Sequence, residues 1–273
     1  MAFRCTGLAL LLLVQAQGAT AQEPCTTTDT LSVRCQASRT DSVANQRFQI
    51  GVTPYVWALG IFGAIGVMGN RFDVHVTARD IVDHLHAGFM GALEGAYRRW
   101  SAEIDVTYLK VEDLFIVPPP PVPPGTRVNA VAKQAVFEVQ AGYQVSHTAP
   151  LAVDALIGGR RWILDNAVTL SADAQPATTL TLNERWTEPF VGARASIDLS
   201  PRLLLQLHGD VGGFGVGSRS SWQALGTLRY RISSRWSARA GFRDVGINFK
   251  DDNKRFLYDV NYRGPIVSVT YRF

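Results

Sequence analysis

Gly264-Pro265-Ile266-Val267-Ser268-Val269-Thr270-Tyr271-Arg272-Phe273 is the stretch that decides how the chain is read. In an extended strand successive side chains point to opposite faces, so Pro265, Val267, Val269, Tyr271 and Phe273 share one face while Gly264, Ser268, Thr270 and Arg272 share the other. One face is apolar and the other polar. A strand of a soluble sandwich carries the same alternation, whereas the closing strand of an outer-membrane barrel also places an aromatic residue at its interfacial end.

The same period of two runs upstream. Leu93 and Tyr97 oppose Glu94; Ile104 and Val106 oppose Glu103 and Asp105; Phe137 and Val139 oppose Glu138; Ala155 and Ile157 oppose Asp154 and Arg160. Further on, Ala193 and Ile197 oppose Arg194, Leu207 and Val211 oppose His208 and Asp210, Leu228 and Tyr230 oppose Arg229, and Ala240 and Phe242 oppose Arg239 and Arg243. In residues 71–78 the same rule puts Phe72, Val74 and Val76 on the outer face and Asp73 and His75 on the inner one. The proline run of residues 118–125 has no donors for a sheet and reads as a loop. Residues 165–183 read as a long polar excursion, and Asp80 as the cap of a short helical turn.

Short and long connections alternate, as in a barrel with turns on one rim and loops on the other. Trp222, Tyr230, Trp236, Phe242, Tyr271 and Phe273 stand at the ends of outward faces whose middles are Ala, Leu, Val and Gly, the pattern of an aromatic girdle. The charged residues share their face with Gln, Ser, Thr and Gly, so the lumen reads as polar. The fold expected is all-β, a transmembrane antiparallel up-and-down β-barrel. Residues 48–69 supply two strands with a bend near Gly60, giving twelve in all, or none, giving ten.

The N-terminus begins Met1-Ala2-Phe3-Arg4, passes through an apolar run and reaches Ala19-Thr20-Ala21, the order of a secretory signal, so residues 1–21 are expected to be cleaved before Gln22. No later stretch approaches the roughly 20 apolar residues of a spanning helix. Residues 22–46 form a Ser/Thr-rich leader, and residues 47–273 the barrel. Export makes a Cys25–Cys35 disulfide the expectation for the leader. With 47% hydrophobic residues and a net charge of +4 spread over separate strands, neither disorder nor nucleic-acid binding is implied.

The segment from Gly209 through Gly212-Gly213-Phe214-Gly215 to Ser218, followed by Trp222, Gly241-Phe242-Arg243, Gly264-Pro265 and Phe273, resembles a family of proteobacterial outer-membrane β-barrel proteins of undefined role. Pro54-Tyr55-Val56-Trp57, Asp73-Val74, Asp80-Ile81-Val82-Asp83-His84-Leu85 and Glu94 resemble that family's N-terminal half. Val245-Gly246 and the cysteine-bearing leader depart from it. The resemblance implies a bacterial outer-membrane location and a porin-like barrel, with no established activity.

The inward charges divide by position. Asp73, Glu94, Glu103, Asp105, Glu138 and Asp154 come early; Arg194, Arg229, Arg239 and Arg243 come late, with His208 and Asp210 between. Closing the sheet sets the two arcs opposite one another, so the lumen is expected to be largely charge-paired, structural or a narrow channel. The alternatives are a lipid-modifying hydrolase or a lipid- or ligand-binding barrel. His208 and Asp210 with Ser218 and Ser220 permit an imagined triad, yet a polar lumen pair accounts for them equally, and no catalysis is expected. His84 and His86 near Asp80 and Asp83 read as turn capping, so neither metal nor cofactor is expected. The expected partners are membrane lipids and, through the closing strand, the outer-membrane assembly machinery; oligomeric state is left open.

Overall fold

The computed structural model describes residues 48–67, 69–114, 127–171 and 177–273. The expected signal segment, the leader with Cys25 and Cys35, and the proline-rich loop lie outside the described residues.

Among the described residues twelve strands form one antiparallel sheet: β1 (Gln49–Trp57), β2 (Gly60–Val67), β3 (Asn70–Val76), β4 (Leu85–Tyr97), β5 (Trp100–Glu112), β6 (Arg127–Thr148), β7 (Leu151–Ser171), β8 (Thr178–Ser200), β9 (Leu203–Gly212), β10 (Ser220–Arg231), β11 (Trp236–Asp251) and β12 (Phe256–Arg272). Ten of the 12, β1 and β4 to β12, close into a ring, and β2 and β3 stand outside it. Closure is made by β1 against β12, from Gly51 opposite Arg272 to Trp57 opposite Ile266. Among the described residues each strand of the ring is paired on both sides, which is how a barrel avoids strand-edge association.

β12 is long enough to take two partners in turn. Its C-terminal half pairs with β1, and its N-terminal half, residues 257–263, pairs with β2. Between them the chain kinks at Ala58 and Leu59, and Gly264 permits the crossing because a Cβ there would lie 2.0 Å from the Ala58 carbonyl oxygen. Gly63, at φ +140°, does the same within β2, where a Cβ would meet the Asp259 carbonyl oxygen at 2.2 Å. The bend near Gly60 is therefore real, and both of its halves are strands.

A six-residue helix, α1 (Ala78–Asp83), links β3 to β4 and buries Ile81. Its N-cap is Thr77. Asp80, expected to be the cap, is the third helical residue, whose carboxylate returns the bond to the Thr77 backbone in a capping box. Among the described residues no helix is long and apolar enough to cross a membrane.

Two expectations are corrected here. Val74 and Val76 are buried and Asp73 and His75 exposed, the reverse of the outward and inward assignment, because β3 leaves the ring and turns its apolar side to the interior cluster. Residues 165–183 are largely strand, since β7 runs to Ser171 and β8 begins at Thr178. We call the end carrying the short turns the base and the opposite end the crown.

Candidate functional site

The interior changes character with height. Near the base and middle it is ionic; in the crown it is aromatic.

The middle layer is built on Arg160, which is 1% exposed. Its Nε donates to Glu138 Oε2 at 2.7 Å, its Nη1 to Glu188 Oε1 at 3.5 Å, and its Nη2 to both Asp210 oxygens at 3.1 and 3.2 Å. The guanidinium also lies 4.8 Å from the centre of the Phe190 ring. Gly158 makes room for that ring, since a Cβ there would come within 2.3 Å of it. Arg243 is the second hub. It donates from Nε to Gln223 Oε1 at 2.8 Å, lies 3.6 Å from Asp105 and 3.7 Å from Glu138, and covers the Trp57 ring at 4.9 Å. Tyr55 donates its hydroxyl to Asp105 at 2.9 Å, and Gln223 Nε2 donates to Asp210 at 3.1 Å. Every ring strand except β4 and β12 contributes to this layer, which spans the lumen as a plate of charge-assisted hydrogen bonds.

Below the plate, Arg194 bonds Asp154 at 2.8 Å and Ser101 at 2.9 Å, and Arg239 lies 2.9 Å from Glu94. Between these pairs is a cavity of about 80 Å³ lined by Glu103, Gln140, Arg194, Gln206, His208 and Thr227 among others, with room for a few waters. Glu103 faces it and forms no ion pair among the described residues. Above the plate a smaller space of about 20 Å³ lies against Arg160, Arg243, Trp162 and Tyr262.

The crown interior is a stack of rings. Trp162 and Trp186 are 5.8 Å apart and nearly parallel, Trp186 and Phe249 4.1 Å, and Trp162 and Tyr262 5.8 Å. Glu188, fully buried, joins the two regimes: both indoles donate to it, Trp162 at 3.3 Å and Trp186 at 3.4 Å, while Arg160 holds it from below. Over the stack, Lys254 from the β11–β12 turn reaches β8, with Nζ 3.0 Å from Glu184 and 3.1 Å from the Asn183 carbonyl oxygen.

Of the residues expected in the lumen, the described structure brings Glu94, Glu103, Asp105, Glu138, Asp154, Arg194, His208, Asp210, Arg229, Arg239 and Arg243 to the inner face. Asp73 is not there, because β3 lies outside the ring. Arg239 pairs with Glu94. Trp222, Tyr230, Trp236, Phe242 and Phe273 are exposed on the outer face, and Tyr271 packs between Trp236 at 4.8 Å and Phe273 at 5.0 Å. Glu188, Trp162 and Trp186 escape the sequence reading, which places Arg160 on the polar face but not among the lumen charges. Extending the phase of β8 back from Arg194 by twos would have placed Glu188 and Trp186 inside. His84 and His86 do not converge: His84 Nδ1 meets the Asp80 carbonyl oxygen and His86 lies beside Glu112. His208 meets Asp210 at 2.9 Å and Gln223 at 3.3 Å.

No protein-family model and no curated protein matches the chain. Among solved structures, the barrel is similar to the attachment invasion locus protein Ail of Yersinia pestis, with 9% identity over 84% of this chain and 99% of that one and a TM-score of 0.31. It is also similar to the translocator domain of the autotransporter NalP from Neisseria meningitidis, with 12% identity over 88% and 95% and a TM-score of 0.35. The TodX deltaS2S3 mutant monoaromatic hydrocarbon channel gives 9% identity over 85% and 92% and a TM-score of 0.37. The likeness is one of strand architecture alone.

Proposed function

We propose that the chain is an integral β-barrel of a bacterial outer membrane, structural in kind and shut at rest, that holds an extended crown above the lipid. One observation carries the membrane reading. Val52, Leu93, Ile104, Val139, Ile157, Val191, Leu207, Leu228, Phe242 and Val267, one from each ring strand, are all exposed on the outer face. In water such a closed apolar belt exceeds anything a monomer tolerates, whereas in a bilayer it is the ordinary solvent-facing surface. Tyr230, Trp236, Tyr271 and Phe273 then serve as the interfacial girdle at the base.

The shut state is supported by the Arg160 and Arg243 plate, with spaces of about 80 Å³ below it and about 20 Å³ above it among the described residues. A narrow, gated solute pathway is the second reading, favoured by the polar cavity that Glu103 lines. We take the barrel to be no enzyme, since among the described residues neither Ser218 nor Ser220 is hydrogen-bonded to His208. Export by residues 1–21, a Cys25–Cys35 disulfide in the leader and delivery to the assembly machinery by the closing strand belong to the same proposal.

The test is the full-length protein, fractionated from cells and refolded. It should fractionate with outer membranes, migrate differently on a denaturing gel before and after boiling, and give little steady conductance in a planar bilayer. Recovery as a soluble protein with identical migration in both samples would sink the membrane reading. Large, steady wild-type conductance would sink the shut state.

A further inference from the structure

On the side of β10, β11 and β12 the base of the lumen is rich in charged donors. Arg229 on β10 and Arg239 on β11 are directly opposite one another in register and both point inward. Arg231 follows on the same face of β10, opposite Ser237. Arg272 comes from β12, where Gly51 is its partner on β1 and offers no side chain to fill the space beside it. Against these four guanidiniums stand two carboxylates, Glu94, which is engaged by Arg239 at 2.9 Å, and its register partner Glu103 on β5, which lines the cavity with Glu94 and Arg239. Among the described residues Arg229, Arg231 and Arg272 form no ion pair.

Like charges this close repel, more strongly where the barrel wall excludes water than in bulk solvent. Two buried donors are also left without partners on the same strand: Arg239 Nε and Ser237 Oγ. A buried donor with no acceptor carries a desolvation cost, so each such group calls for an acceptor, supplied by water or by a ligand. Guanidiniums with a hydroxyl between them are the donor set that suits an anion bearing several oxygens, because the guanidinium fork matches two oxygens at once.

We infer that the base of the lumen, between Arg229, Ser237, Arg239 and Arg272, is a binding site for a phosphate-type oxyanion. The anion lies between β10 and β12, accepts from Arg239 Nε and the Ser237 hydroxyl, and neutralises Arg229 and Arg272. Its source is either free phosphate or the headgroup of an anionic lipid at the rim. The site does not depend on whether the plate above it is open or shut.

The experiment uses the full-length barrel in zwitterionic detergent, unfolded by heat in potassium phosphate and in potassium chloride at matched ionic strength. The midpoint should rise by about 3 °C in phosphate, the size expected for a ligand present at roughly ten times its dissociation constant. The double variant Arg229→Gln, Arg272→Gln should lose that difference, and Ser237→Ala should reduce it. Equal midpoints in the two salts, or an undiminished phosphate effect in the double variant, would overturn the site. If the double variant does not refold, Arg272→Gln alone serves, and an unchanged phosphate effect there is equally fatal. Repeating the comparison in nanodiscs separates the sources. A phosphate effect in phosphatidylcholine that vanishes in phosphatidylglycerol identifies the headgroup; an effect in both identifies free phosphate.

Discussion

Strand β7 holds two opposite patterns in one continuous ladder. Toward the base, Ala155 and Ile157 point out and Asp154 and Arg160 point in; toward the crown, Arg161 and Asp165 point out while Trp162 and Leu164 are buried inside. β8 repeats the reversal, with Val191 and Ala193 outside below, Arg185 and Thr187 outside above, and Trp186 within. Neither strand shifts phase at the change. What changes is the medium proposed to lie outside: lipid around the base, water around the crown. The base behaves as a membrane barrel with its charges inside, and the crown as a soluble barrel with an aromatic core. The outer crown charges meet each other in solvent, as Arg185 and Asp165 do at 3.3 Å, and contribute little.

The sharpest way to break this comparison is at the plate. Arg160→Ala leaves Glu138, Glu188 and Asp210 buried without their guanidinium, which should cost about 3–5 kcal/mol in unfolding free energy and raise conductance in planar bilayers. Adding Glu188→Gln should recover part of the loss, because the two residues act as one unit. In the crown, Trp186→Ala removes a ring stacked on Trp162 and Phe249 and should cost about 3 kcal/mol. Conductance should stay at the wild-type value, since the plate below is intact. An increase matching that of Arg160→Ala would show that the rings, and not the ions, close the lumen.

The outer faces provide a third test. Val139→Arg places a charge in the apolar belt and should cost about 2 kcal/mol in a lipid bilayer, whereas Thr187→Arg on the crown should change stability by less than about 0.5 kcal/mol. Equal effects would end the distinction between the two outer media. Smaller again is Lys254→Ala. Its ammonium is half-exposed although Glu184 is buried, so a loss below about 1 kcal/mol is expected, read as faster amide exchange in the β11–β12 turn.

The least effect is local and depends on pH. The Thr77 hydroxyl and backbone N–H hold the Asp80 carboxyl below its ordinary 3.8. A carboxyl lowered in the folded state stabilises above its unfolded value and ceases to do so as the pH falls through the folded one. Amide protection in α1 should therefore drop on acidification below 3.8 in the wild type. In Thr77→Ala it should already be low at neutral pH and change little.

Period-two alternation is written residue by residue, so the sequence alone determined that the chain is a barrel and which side of each base strand is greasy. It also placed Glu138, Asp105, Arg239 and Arg243 on the inner face before any partner was known. The same rule misled in two places. At residues 71–78 it read apolar as outward, which holds only where lipid is outside the strand, and Val74 and Val76 belong to a hairpin packed on the interior. At residues 165–183 it read polar outer positions as loop, although a strand above the membrane is expected to be polar outside and apolar within.

Only the tertiary structure decided membership of the ring and the meeting of partners. β12 pairs with β1 along one half and β2 along the other because Gly264 lets the chain kink at Ala58, a contact between residues far apart in sequence. Arg160 is bound by carboxylates from β6, β8 and β9, and Arg239 finds Glu94 on β4. Alternation fixes the direction of a side chain but not its height or its neighbour across the lumen. Those follow from strand register and closure, which are properties of the whole sheet.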